Sequence, residues 1–194
     1  MPLTLANRIT ILRIFTVPFF ILSILYYIIS VAKGEPSVPL RWIGLALFLG
    51  VFLLDAVDGY LARARREITS LGTLLDPIAD KAALISALIL LSGHGAEKAF
   101  DPHLPVWFTL AAISRDAILV TGTLIIHGVA GGVHVQPRIL GKITTFLQGV
   151  SILWVLIGLP AAALPWILYA AVAFTGASAV QYLLDGVRQL ERER

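Results

Sequence analysis

Four aspartates lie inside two apolar stretches of the chain. Asp55 and Asp58 fall within residues 40–63, and Asp76 and Asp80 within residues 69–92. A carboxylate at the centre of a bilayer costs about 2.5–3.5 kcal/mol on insertion scales, so four cost about 10 kcal/mol together if nothing offsets them. That is comparable with the whole stability of a typical domain. The spacing indicates what offsets it. Asp55 and Asp58 stand at i, i+3, and Asp76 and Asp80 at i, i+4, so each pair shares one face of a helix. The link between the two stretches is short, which predicts antiparallel neighbours with opposed acidic faces. Four carboxylates in one pocket repel, and protons or cations must neutralise them. Hard oxygen ligands suit Mg²⁺ or Mn²⁺, and two divalent ions balance four carboxylates in formal charge. Cysteine is absent, so thiolate metal sites and disulfides are excluded.

The rest of the chain must place those acids. Of its 194 residues 58% are hydrophobic and only 14% charged, against roughly 45–50% and about 25% in a soluble domain. Mean hydropathy is +0.87. The excess is too large for one soluble core, and a membrane is where it fits. A span needs about 20 mostly apolar residues in helical form. Six segments qualify, at residues 10–31, 40–63, 69–92, 104–128, 141–159 and 165–187. Lys33-Gly34-Glu35-Pro36, Gly93-His94-Gly95 with Asp101-Pro102, Gly131-Gly132 with Pro137, and Pro160 with Pro165 break them. The expected fold is all-α, a polytopic membrane protein with six transmembrane helices. Residues 1–194 form a single domain without repeats. Residues 2–8 are the place for a short interfacial lead-in helix. The run 11–29 is too long for a signal peptide's apolar core, and Arg13 interrupts its start.

Charge sets the orientation. With the N-terminus inside, Arg8, Arg63, Arg65, Arg66, Arg138, Lys142, Arg188, Arg192 and Arg194 lie on or near the cytoplasmic side, and Lys33, Arg41 and Lys98 fall outside. Both termini are therefore expected in the cytoplasm of a multi-pass protein of the cell membrane, surrounded by membrane lipids. Trp42, Trp107 and Trp166 stand near span ends, as interfacial anchors do. Asp58 is about 7.5 Å of helix rise from the cytoplasmic end of its segment, and Asp76 is similarly placed in its own. Both pairs can share one water-accessible cavity. A net charge of +3 without a soluble basic stretch argues against nucleic acid.

Residues around the acids fit a phosphate-bearing ligand. Gly59 removes a side chain where a ligand approaches the backbone, and Gly72 and Ala62 keep bulk low between helices. Arg63 is one turn on and suits a diphosphate bridging the metals, or a positive-inside anchor. Thr69 and Ser70 suit a polar headgroup or a helix cap in equal measure. Two other readings compete. In one the acids are ion-paired core residues, with Lys81 and Arg115 as the intramembrane cations. In the other they line an ion pathway, which makes the chain a cation transporter.

The stretch Asp55-Ala-Val-Asp58-Gly59-Tyr-Leu-Ala62-Arg63, eight residues, Gly72, three residues, Asp76, three residues, Asp80 resembles the signature of the CDP-alcohol phosphotransferase family. All eight defined positions match. The resemblance implies a six-span fold and phosphatidyl transfer from CDP-diacylglycerol to an alcohol, with release of CMP. It implies that Asp55, Asp58 and Asp76 bind two divalent metals, and that Asp80 contacts a metal and acts as general base. It implies that Gly59, Arg63 and Thr69 hold the CDP moiety, with Asn7 and Thr10 from the first helix, and that the protein is a homodimer. Asn7, Thr10 and Arg13 resemble the polar stripe of bacterial members. Arg115-Asp116 and Gly141-Lys142-Ile-Thr144-Thr145 with Gln148 resemble the branch whose acceptor is glycerol 3-phosphate. The chain departs from that branch in lacking a proline before Leu5-Ala6-Asn7-Arg8 and in having Arg-Asp where Arg-Glu is common.

The acceptor is read from a second cluster. Arg115, Arg138 and Lys142 lie on or near the cytoplasmic halves of the fourth and fifth segments, and Arg115 is deeper than an anchor needs. Arginine forks onto phosphate oxygens and lysine adds a point charge. Glycerol 3-phosphate fits. Phosphatidylglycerol, as used by a cardiolipin synthase, and inositol phosphate, as used by a phosphatidylinositol-phosphate synthase, also carry phosphate. Alternatively, Arg115 pairs with Asp116 or with the acidic cluster. His94, His103, His127 and His134 are scattered and are not expected to bind metal.

Overall fold

A computed structural model describes the backbone of residues 5–65, 70–130 and 139–192, and side chains at 11–54, 81–122 and 139–182. Among the described residues there are seven helices and no strand. Six are long: α1 (Leu5–Ala32), α2 (Val38–Arg65), α3 (Ser70–Ser92), α5 (Val106–Ala130), α6 (Ile139–Ile157) and α7 (Leu164–Arg192). Each covers one segment read from hydropathy. The seventh, α4 (Ala96–Ala99), is a single turn in the third break. Leu5–Arg8 form no separate lead-in helix: they open α1 without interruption, because nothing in Leu5-Ala6-Asn7-Arg8 breaks a helix. Three stretches among the described residues are long and apolar enough to cross a membrane, Ile11–Ala32, Ile139–Ile157 and Leu164–Tyr182. Of α2 and α3 the described residues include the apolar stretches Val38–Leu54 and Lys81–Ser92.

The chain divides into two compact units. The first comprises residues 1–103 with 155–158, the second 104–154 with 159–194.

In the first unit α1 packs along α2 and against α3, and α4 sits on α1 and α3. Val17, Val51 and Ala83 form the core where the three long helices meet. The Phe20 and Phe48 rings lie 5.5 Å apart. At Gly44 any side chain would strike Ile24, so the missing Cβ lets α1 and α2 approach. Val17, Phe20 and Ile24 going up α1 thus face Val51, Phe48 and Gly44 going down α2, an antiparallel register. At the other end of α1 the Tyr27 hydroxyl donates to Ala99 O at 3.1 Å, and its ring meets Phe100 edge-on. Glu97, in the first turn of α4, has its carboxyl held below the usual range, chiefly by a hydrogen bond from its own backbone N–H.

Arg41 explains one exception to the charge pattern. Its Nε donates to Leu156 O at 2.8 Å and its Nη2 to Val155 O at 3.2 Å. It caps the carbonyl end of α6, where a cation is favoured, and stacks on the Phe100 ring. The chain then turns at Gly158, with φ +81°.

In the second unit α5 packs along α7. Leu164, Leu168, Ala171, Thr175 and Ser178 of α7 are buried at alternating steps of four and three, the period of one helix face. Trp107 stacks on Tyr169 at 5.9 Å, and Trp107, Trp166 and Trp42 are all exposed near helix starts. That suits rings lying at a membrane interface.

Candidate active site

The acids follow from the register of the first unit. Asp55 and Asp58 stand on α2 one and two turns beyond the core residue Val51, and Asp80 and Asp76 on α3 one and two turns before Ala83. Both helices run unbroken through them, so the i, i+3 and i, i+4 spacings are helical spacings. The α1–α2 register carries Arg13 to the level of position 55 and Thr10 to the level of position 58. The side chains of Asn7, Thr10, Asp55, Asp58, Gly59, Arg63, Asp76 and Asp80 lie outside the described residues, as do Thr69 and Arg138 entirely. Among the described residues no three His, Asp or Glu side chains gather to hold a metal. His94 and His103 are exposed and flank α4.

Arg13 is the residue the sequence undervalued. It is 0% exposed and lies one turn before Val17, on the face of α1 that meets α2 and α3. A buried guanidinium needs compensation, and Arg13 has an interaction in the fold. Reading the four acids against Lys81 and Arg115 alone therefore missed an intramembrane cation. One more cation still leaves four carboxylates mostly unbalanced. The visible signal was its spacing: Arg13 sits in step with Val17, Phe20 and Ile24.

Arg115 belongs to the second unit. It is 7% exposed; its Nη1 donates to Asp116 Oδ1 at 2.8 Å and its Nη2 to Ser178 Oγ at 3.0 Å. The pairing with Asp116 that the sequence left open is thus present. The Nε–H of Arg115 is nevertheless buried without an acceptor, and so is the amide nitrogen of Gln148. Lys142, on α6, is exposed. Thr144, Gln148 and Ser151 continue from Gly141 along one buried face of α6.

One pattern runs through both units. In α5 the buried face passes from Phe108 and Ala112 to Arg115, and in α7 from Leu164, Leu168 and Ala171 to Thr175 and Ser178. In α6 the order reverses, from Thr144, Gln148 and Ser151 to Val155 and Leu156. The first unit alternates likewise: Arg13 precedes the apolar face of α1, the acids follow that of α2, and the acids precede that of α3. In α1, α2, α3 and α6 these polar residues stand toward the end that sequence charge assigns to the cytoplasm, whereas Arg115 and Ser178 stand near the middle of α5 and α7, and Ser23 and Thr109 are buried nearer the opposite end. Such groups are costly in lipid and cheaper near water.

These features describe a helical membrane protein with ionisable groups set within its apolar helices. The chain belongs to the CDP-alcohol phosphatidyltransferase family, whose model matches residues 3–177. It is 35% identical over 151 residues to the CDP-diacylglycerol–glycerol-3-phosphate 3-phosphatidyltransferase of Bacillus subtilis, covering 76% of this chain and 74% of that protein. It is 36% identical over 146 residues to a CMP-forming cardiolipin synthase of Streptomyces coelicolor, covering 74% and 60%. It is 27% identical over 200 residues to the Escherichia coli K12 protein of the same name as the Bacillus one, covering 100% and 97%.

Proposed function

We propose that the chain transfers a phosphatidyl group from CDP-diacylglycerol to glycerol 3-phosphate, giving phosphatidylglycerophosphate and CMP. The observation that carries the reaction class is the paired spacing of Asp55/Asp58 and Asp76/Asp80 on two helices of one unit, in a chain of this family. Relatives named for glycerol 3-phosphate favour that acceptor. One of them matches along nearly its whole length, whereas the cardiolipin synthase match stops at 60% of that protein. Phosphatidylglycerol remains the second reading, because its relative is as similar over the shared stretch.

The donor set suits two Mg²⁺ or Mn²⁺ ions: carboxylates only, spaced for two helices to contribute two each. Asp55, Asp58, Asp76 and Asp80 would hold them. When bound, such ions polarise a phosphoryl group and stabilise a leaving oxygen. The acceptor hydroxyl gives its proton to Asp80. Its oxygen bonds to the phosphorus bearing diacylglycerol as the bond from that phosphorus to the CMP oxygen breaks. Asn7, Thr10, Gly59, Arg63 and Thr69 hold the CDP moiety. Arg115, Arg138 and Lys142 take the acceptor's phosphate. The whole chain acts as one six-span domain of the cell membrane, a homodimer, with its site and both termini facing the cytoplasm.

The test is direct. Purified protein with Mg²⁺ or Mn²⁺ and CDP-diacylglycerol is offered glycerol 3-phosphate, inositol phosphate and phosphatidylglycerol in turn, with lipid products identified by mass. Phosphatidylglycerophosphate is expected. Product from another acceptor alone would move the reaction to that branch, and no product with any acceptor would sink the reading. A cation transporter would instead carry ion flux in proteoliposomes without nucleotide.

A further inference from the structure

Arg115 is held by more than its sequence neighbour. Its two terminal nitrogens are engaged by different helices, Nη1 by Asp116 on its own helix and Nη2 by Ser178 of α7. Guanidinium grips an oxyanion through two parallel N–H groups. The edge formed by Nε and Nη2 is one such pair. Nε on that edge is buried and has no acceptor, while Nη2 is fixed by Ser178 Oγ. A buried donor without an acceptor costs about 1–3 kcal/mol, and a ligand that completes it recovers that cost.

Gly141 of α6 makes the arrangement possible. A Cβ there would lie 3.0 Å from Arg115 Nη2 and 3.9 Å from Ser178 Oγ. Any other residue there would press on the guanidinium. Three helices thus meet on one planar group: α5 supplies it, α7 anchors Nη2, and α6 leaves room. Ser178 is itself 8% exposed, so its hydroxyl does not trade this contact freely for water.

We infer that Ser178 and Gly141 are positioning residues for acceptor binding, fixing the Nε–Nη2 edge of Arg115 so that it receives the phosphate of the acceptor. Neither touches the substrate. The inference rests on the reading of Arg115 as an acceptor ligand given above. It adds a residue of the last long helix to a specificity otherwise carried by α5 and α6.

The experiment uses the full-length protein in detergent with CDP-diacylglycerol, Mg²⁺ and glycerol 3-phosphate. Ser178→Ala is expected to raise KM for glycerol 3-phosphate about tenfold, the scale of one hydrogen bond to a charged group, with KM for CDP-diacylglycerol unchanged. Ser178→Thr, which keeps the hydroxyl, is expected to restore most of that loss. Gly141→Ala is expected to raise the same KM. Arg115→Ala is measured alongside. If it raises acceptor KM and Ser178→Ala does not, the positioning role is overturned and the acceptor role of Arg115 stands. If Arg115→Ala leaves acceptor KM unchanged, the underlying reading fails and this inference with it. If Ser178→Ala raises both KM values equally, or Ser178→Thr fails to rescue a variant that melts at the parental temperature, the serine is structural only and the inference is overturned.

Discussion

At the scale of single residues, charge in an apolar setting was the most legible signal. Asp55, Asp58, Asp76 and Asp80 announce themselves because each is expensive in lipid and their spacings are helical. Asp80→Asn removes the proposed base while keeping the shape of the side chain. Turnover should fall at least about a hundredfold, as for loss of general base catalysis, while binding of CDP-diacylglycerol stays within a fewfold of the parent by equilibrium binding. Near-normal turnover would take Asp80 out of that role. Chelation with EDTA should abolish product formation, and Mg²⁺ or Mn²⁺ should restore it; activity that survives chelation would exclude the metal reading. Arg13 was less legible. Its type was plain, but its complete burial depends on Val17, Phe20 and Ile24 keeping step beneath it against two other helices. Arg13→Ala should destabilise the protein by about 3–5 kcal/mol, the cost of breaking a buried charged interaction. Thermal unfolding in detergent would read this, with Leu12→Ala, whose side chain is exposed, as the near-neutral control.

At the scale of elements, hydropathy located all six long helices to within a few residues at most ends, because a helix in lipid must satisfy its own backbone and ends where polar turns allow. It could not show α4, a single turn too short for any period. Nor could it show that Arg41 serves another helix's end, because its partners lie more than a hundred residues away. That clasp makes a prediction. Gly158→Ala forces an L-residue into left-handed backbone, at about 1–2 kcal/mol, and sets a Cβ 2.6 Å from Arg41 Nη2. Arg41→Ala loses two charge-assisted bonds to carbonyls, each of about 1.5–3 kcal/mol. Both should lower the melting temperature. Because they disturb one contact, the double variant should lose less than the two single losses added. Full additivity would mean that the glycine is needed for its backbone alone.

At the scale of the molecule, the alternation of polar and apolar ends along successive helices is the strongest sign of how the chain is threaded. Within the first unit Arg13 and the acids of α2 and α3 fall at the same end only if each long helix crosses in the opposite sense to the one before, and the same alternation continued through α5, α6 and α7 is the threading to be tested. The absence of cysteine makes this easy to check, since each introduced thiol is the sole one. Cysteines at Glu35, His103 and Ala162 should react with a membrane-impermeant maleimide added to intact cells, because those exposed positions lie in the turns after α1, before α5 and after α6. Cysteines at Glu67, Gln136 and the C-terminal Arg194 should react only after the membrane is opened. Each labelled protein would be kept only if it still forms lipid product. Outside labelling at 67 would put the acidic helices on the wrong face for a nucleotide-linked donor made in the cytoplasm. Labelling at 136 and 194 from opposite sides would break the six-span count while leaving the acidic pair untouched, so the threading and the chemistry are tested separately.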